Sequence, residues 1–210
     1  MMTEIYRLAT ADDAPRVQYI TYEAYVTIRE LKLQWPAAYA DVEQIRNNIL
    51  NNKCYVLEQD EQIQATVTLA DAEKLQFLGN VTDLPFVMWF AVDPYIQSKG
   101  LGRKLLNWVE QHVIRAELSA PAVTLATAEK HPWLLPMYER WGYERIHAFE
   151  AGEDGVMHLL RKVVDEEKFA RYVQLQKEQQ QIEDGEAAEA QPVGRSGVRS
   201  VREQLQFRRF

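Results

Sequence analysis

Between Val92 and Gln111 the chain reads VDPYIQSKGLGRKLLNWVEQ, with two glycines directly in front of an amphipathic helical pattern. The residues that carry chemistry there are Gln97, Ser98, Lys99, Gly100, Leu101, Gly102 and Arg103. A helix N-terminus offers free N–H groups and a partial positive charge, so it suits an anion. Glycine at 100 and 102 removes the Cβ atoms that would hold a phosphate off that backbone. Lys99, Arg103 and Lys104 add charge around it. Two other readings stand beside this one: a strand-to-helix turn that merely uses glycine, and a Rossmann dinucleotide site. The Rossmann pattern needs a third glycine where this chain has Leu105, and Asp93-Pro94 with five more residues separates the strand from Gly100. A P-loop is excluded, because no Gly-Lys-Ser/Thr follows.

The elements that must position this stretch can be read from pattern. Ile5–Leu8 reads as a strand, and Thr10 with Asp13 as a capping box ahead of Pro15. Ala14, Val17, Thr21, Ala24, Ile28 and Leu31 recur at helical spacing and predict one helix ending at Trp35-Pro36. Val42, Ile45, Ile49 and Leu50 predict a second. CYVLE and IQATVTLAD form a hairpin around QDEQ. LPFVMWFAV is a continuous apolar run, the mark of a strand buried on both faces. Leu101, Leu105, Trp108, Val109, Val113 and Ala116 form one helical stripe. PAVTLATA is a further strand, WLLPMYERWG a short helix stopped at Gly142, and YERIHAFE and VMHLLRKVV two closing strands. The fold class is therefore α/β, a mixed sheet with helices on it.

Residues 1–164 make the main domain. Residues 165–183 read as an appended solvated helix with Phe169, Tyr172, Val173 and Leu175 along one edge, and residues 184–210 as an acidic linker and a basic tail. Val201, Leu205 and Phe207 among the tail arginines suggest docking on an acidic surface, which across subunits would clasp a homodimer.

Composition sets bounds. A chain of 210 residues with 47% apolar side chains builds a real core. A net charge of −7 argues against nucleic acid and favours a cationic partner. Cys54 is the single cysteine, so no intramolecular disulfide forms and no cysteine cluster holds a metal. The acidic start and the absence of a long apolar run predict no signal peptide, no membrane span and a cytoplasmic location.

Gln97 to Gly102 matches the Q/R-x-x-G-x-G/A signature of the GNAT (GCN5-related) N-acetyltransferases, which wraps the acetyl-CoA pyrophosphate. FAVDP resembles the family's fourth strand, and MYERWGYE, Met137 to Glu144, is similar to its second motif with a tyrosine near the CoA sulfur. The resemblance covers roughly residues 3–163. It implies a mixed, mostly antiparallel sheet, acetyl-CoA as cosubstrate, no metal, and direct transfer of acetyl to a primary amine of a small molecule or peptide. It further implies a fourth strand that splays from the fifth, leaving backbone at Phe90, Ala91 and Val92 for the pantetheine arm, the Val92 N–H for the oxyanion, and Tyr138 to protonate the departing thiolate. Many members carry an asparagine a few residues before the tyrosine. This chain has Glu129, Lys130 and His131 in that neighbourhood, so contacts there do not carry over. A GNAT-shaped CoA-binding module without efficient turnover is the alternative.

The sequence specifies no single base for the amine. Glu129 follows the fifth strand and is the first candidate, His131 and Asp83 lesser ones, each also readable as a solvated surface residue. His112 reads as a core histidine beside the helical stripe, and Cys54 as buried rather than nucleophilic. Trp35, Trp89 and Trp133 read as core packing or as the lining of an acceptor pocket.

Overall fold

Alternation along the second strand decides the layering. Lys53–Gln59 (β2) sends Tyr55 and Leu57 into one apolar cluster and Cys54 and Val56 into another. A strand with both faces covered needs helices on both sides. The computed structural model describes residues 4–71, 75, 81–96 and 100–189, with side chains to 182, and shows a seven-stranded sheet so covered.

The other strands are Glu4–Leu8 (β1), Gln62–Ala70 (β3), Phe86–Val92 (β4), Ala122–Ala128 (β5), Glu144–Glu150 (β6) and Val156–Val163 (β7). Their order is β1-β2-β3-β4-β5-β7-β6. Every neighbouring pair is antiparallel except β4 and β5. The β2–β3 turn is tighter than the sequence suggests: Asp60 and Glu61 alone make it, both at positive φ, 49° and 64°.

One face carries Ala14–Ala24 (α1), Val26–Glu30 (α2), Pro36–Tyr39 (α3) and Val42–Asn51 (α4). The single first helix predicted from periodicity is thus broken at Tyr25, which sits at φ −94°, ψ 19°. Val26, Thr27 and Ile28 are β-branched and weaken the helix there. The Thr10–Asp13 cap is present, the Asp13 carboxylate accepting from the Thr10 N–H at 2.7 Å.

The other face carries Leu101–Trp108 (α5), its π-helical continuation Val109–Glu117, and Leu134–Arg140 (α6). Leu101, Leu105, Val109 and Val113 are buried as expected. The widened turn after Val109, seen in the Leu118 N–H bond to Val113 O, rotates Ala116 out to solvent and turns Ile114 in. Gly142, at φ 90°, ends α6.

Glu166–Glu189 (α7) follows β7 and runs past the boundary predicted at residue 183, through a stretch of Glu and Ala that favours helix. The chain divides into a main unit ending at Tyr172 and a second unit from Val173. Among the described residues no helix is long and apolar enough to cross a membrane.

Candidate active site

The parallel pair is where the sheet opens. β4 and β5 are in register only at Phe86–Thr124 and Val87–Leu125. Beyond Val87, β4 bends away. On its other side Thr66 faces Ala91 while Thr68 faces Met88, so Trp89 and Phe90 together oppose Val67 alone. That is a β-bulge, and Trp89 takes φ 50° to make it. The apolar run LPFVMWFAV is therefore not buried on both faces throughout: Met88, Trp89, Phe90 and Val92 are only partly covered. Asp93 N–H bonds Gln64 O on β3 at 2.9 Å. By strand alternation, Ala91 turns its backbone to β3, and Phe90 and Val92 turn theirs to the gap.

The first turn of α5 lies against this bulge. A Cβ at Gly102 would stand 2.8 Å from Val92 Cγ2 and 2.9 Å from Phe90 Cζ. Gly102 is thus the residue that lets the helix seat on β4. Gly100 does something else: it adopts φ 68° at the helix N-cap, and a Cβ there would meet nothing within 4 Å among the described residues. The two glycines thus differ in geometry: Gly102 is filled by β4, and Gly100 is the one with room beside it among the described residues. Leu101 is buried in the core, so its N–H, not its side chain, is what it offers the gap. The Lys104 ammonium is taken by Glu4 at 2.5 Å, whereas Arg103 is exposed and has no ion-pair partner among the described residues. Gln97, Ser98 and Lys99 lie outside the described residues.

Tyr138 on α6 is buried, its ring edge-on to Trp141 at 6.0 Å and near Tyr143 at 5.7 Å. Trp141 in turn stands edge-on to Phe90 at 6.3 Å, which ties the tyrosine to the bulge. Burial holds the Tyr138 phenol well above the ordinary tyrosine range, so it is a protonated donor at neutral pH. From the opposite face Tyr25 reaches the same place. Its hydroxyl donates to the Phe90 carbonyl at 3.3 Å. Burial, and then the nearby Tyr138, push its ionisation up as well. The Phe90 carbonyl, expected to be unpaired, therefore has a partner. Nothing in the sequence singled out Tyr25 except its place among β-branched neighbours.

Residues 51–145 match the family described as acetyltransferase (GNAT) domain. The chain is 42% identical over 157 residues to the S-(2-succino)cysteine N-acetyltransferase of Bacillus subtilis, a match covering 75% of this chain and 94% of that one. It is 39% identical over 171 residues to the S-alkylcysteine N-acetyltransferase of the same organism, covering 80% and 94%. This chain belongs to the GNAT acetyltransferase family. Solved structures agree on the fold. A GNAT acetyltransferase from Streptococcus agalactiae superposes with TM-score 0.62 at 18% identity, over 76% of this chain and 95% of its own. The PaiA N-acetyltransferase of Thermoplasma acidophilum, in complex with coenzyme A, superposes with TM-score 0.58 at 14% identity, over 77% and 99%. The activity of this GNAT protein is N-acetyl transfer to an amine, and the reading as a module without turnover falls away.

The candidate bases of this GNAT protein separate by position. Continuing the β4–β5 register places Glu129 level with the open end of the gap. Its side chain is 59% exposed, with Oε1 3.7 Å from His158 Nε2. Asp83 sits before the paired, closed end of β4 and accepts the Tyr172 hydroxyl, too far along the strand to serve the gap. His131 is not solvated. It is 3% exposed, its Nδ1 accepts the Leu134 N–H at 3.3 Å, and burial pulls its pKa down to about 4. It fastens the start of α6 as a neutral ring. His112 is not a core residue either: it lies exposed, stacked on Trp108 at 5.4 Å. Cys54 is buried as expected, its Sγ 3.4 Å from Thr66 Oγ1. Trp133 is half exposed, while Trp35 and Trp89 pack on the cluster that contains Tyr25. No group of metal-binding side chains occurs among the described residues.

Proposed function

We propose that this GNAT enzyme acetylates the α-amino group of cysteine derivatives substituted at sulfur, holding acetyl-CoA along the free edge of β4. The observation that carries the substrate class is the pair of matches, 42% and 39% identical across 94% of two enzymes named for S-substituted cysteines. The face opposite α5 supports it. Tyr25, Ile28, Leu33 and Met157, with Trp35, Trp89 and Phe149 packed against them, form an apolar cluster on that face, a surrounding that suits a thioether arm better than a charged one. Trp35 Nε1 and Thr21 Oγ1 are buried there without hydrogen-bond partners among the described residues. Buried donors left single are costly, about 1–3 kcal/mol each, so a carboxylate that meets them binds well.

The residues present fit acetyl-CoA. By strand alternation the Val92 and Phe90 backbone faces the gap, and among the described residues nothing fills the space a Cβ at Gly100 would take and no acid pairs with Arg103 beside it. Gln97, Ser98 and Lys99 complete the proposed phosphate contacts. The thioester supplies an activated acetyl group and a thiol leaving group. The Val92 N–H would stabilise the carbonyl oxygen as charge develops, a contribution of about 2.7–4 kcal/mol if well aimed. The C–N bond forms, the C–S bond breaks, and Tyr138 gives its proton to the sulfur. Glu129, or water ordered beside it, takes the proton that the ammonium must lose before attack, and water takes the second proton that the nitrogen loses as the amide forms and returns one to Tyr138.

The test is thiol release from acetyl-CoA with S-methylcysteine, S-(2-succino)cysteine, free cysteine, polyamines and peptide amines. The S-substituted cysteines should show the highest kcat/KM. The net charge of −7 favours cationic acceptors, and polyamines outrunning the cysteine derivatives would replace the proposed class with that one.

A further inference from the structure

Tyr25 closes the break between α1 and α2, and its side chain crosses from that face to the edge of β4. A phenylalanine would fill the same space against Trp35, which meets the ring edge-on at 6.4 Å. What the hydroxyl adds is one polar atom against the β4 backbone at Phe90. A phenol has one proton and two lone pairs. The proton is committed to the Phe90 carbonyl, so the oxygen keeps its lone pairs for another donor. Among the described residues nothing donates to that oxygen, and the residue is 9% exposed. At 3.3 Å the bond to Phe90 is long for O–H···O, so it holds the hydroxyl's orientation while contributing little to stability.

We propose that Tyr25 is a catalytic residue for acetyl transfer, its phenolic oxygen accepting an N–H of the acceptor amine and thereby aiming the nitrogen lone pair at the thioester carbonyl. The inference rests on the placement of acetyl-CoA along β4. The geometry is two-sided: Tyr138 packs with Leu101, Leu105 and Leu160 on the α5 face, and Tyr25 with Ile28, Ala91 and Met157 on the other. The thiol leaves toward one tyrosine and the amine arrives past the other. Tyr25 moves no proton itself. The amine arrives neutral, forms the C–N bond, and loses its second proton to water as the C–S bond breaks, while the sulfur takes one proton from Tyr138. The neutral phenol is suited to this, because burial keeps it protonated and it cannot compete as a base. Orientation of this kind changes rates by large factors without a change in affinity for the other substrate.

The experiment compares Tyr25→Phe with the wild-type chain in three measurements: transfer to S-methylcysteine, acetyl-CoA hydrolysis without an acceptor, and acetyl-CoA affinity by calorimetry. Water needs no aiming, so hydrolysis and affinity should stay within about twofold, while transfer falls about tenfold to a hundredfold. Unchanged transfer makes Tyr25 a packing residue and overturns the proposal. A parallel fall in transfer and hydrolysis also overturns it, because the hydroxyl would then act only by shaping the bulge and the Val92 N–H. Gly100→Asp separates the underlying placement: if that variant keeps full acetyl-CoA affinity, the cosubstrate lies elsewhere whatever Tyr25 does.

Discussion

Gly102 lies so close to Val92 that a Cβ on it would stand 2.8 Å from Val92 Cγ2. The helix that starts the proposed phosphate site and the strand that carries the proposed oxyanion donor are therefore held at one fixed spacing. Gly102→Ala must push them apart, at a cost of about 1–3 kcal/mol for overpacking. It should lower the melting temperature and acetyl-CoA affinity together. Gly100→Asp meets no neighbour among the described residues and should fold, with strain of about 1–2 kcal/mol at φ 68°, yet lose acetyl-CoA affinity at least tenfold. Calorimetry and thermal melting on both variants check this, and equal behaviour of the two would show that the glycines do not divide their roles.

Tyr138→Phe removes the proposed proton donor and keeps the ring that packs on Trp141 and Tyr143. The thiol is already a fair leaving group, so turnover should fall about tenfold to a thousandfold rather than vanish. Acetyl-CoA affinity should hold within about twofold. Because burial raises the phenol's ionisation far above neutrality, no alkaline limb of the wild-type pH–rate profile below pH 9 should belong to Tyr138. A wild-type rate in the variant would leave Tyr138 as packing.

Where pattern and structure part, local physics explains it. The glycine turn and the helix bearing Tyr138 were legible, because positive φ and helical stripes leave composition marks. The bulge left no mark in composition: FVMWFAV reads as an unbroken strand, and the splay from β5 was implied by the family resemblance alone, which the loss of pairing past Val87, the shift against β3 and the φ of Trp89 bear out. Tyr25 was hidden because a helix break of one residue barely disturbs a 3.6-residue period. His112 and His131 were each assigned the other's environment. A π-helical turn carried His112 outward, and a cap bond to Leu134 drew His131 inward. Neither event has a sequence signature of its own.

His131 gives the fold a pH dependence of predictable sign. Its pKa is about 4 when folded, against about 6.5 when unfolded. Above about pH 6.5 both states are neutral and the full stability is present. As pH falls from there toward 4, the unfolded chain takes a proton that the folded one refuses, and stability is lost at no more than about 1.4 kcal/mol per pH unit. Melting temperatures should drop across this window, and His131→Asn, which keeps an acceptor for the Leu134 N–H, should flatten the slope. An unchanged slope would place the acid sensitivity in other groups.

The C-terminal boundary also has an energetic test. The Val164 and Asp165 N–H groups bond Pro121 O at 2.9 and 3.1 Å, and Asp165 Oδ1 accepts the Lys168 N–H at 3.0 Å. Phe169 lies under Arg161 at 4.5 Å, and Tyr172 bonds Asp83. The first two turns of α7 are thus part of the main unit, and the cut predicted after Val164 falls inside it. Truncation after Val164 strips these contacts and should lower the melting temperature by several degrees, since about 1 kcal/mol moves a domain of this size by 2–4 °C. Truncation after Lys177 spares them and should leave the melting temperature and kcat within error. The basic tail with Val201, Leu205 and Phe207 lies outside the described residues, and our proposal for it is a clasp between subunits. Light scattering on the Lys177 truncation should then show a fall from dimer to monomer mass. An unchanged mass would remove the clasp and leave catalysis, which needs only the two faces of the β4–β5 gap, to a single chain.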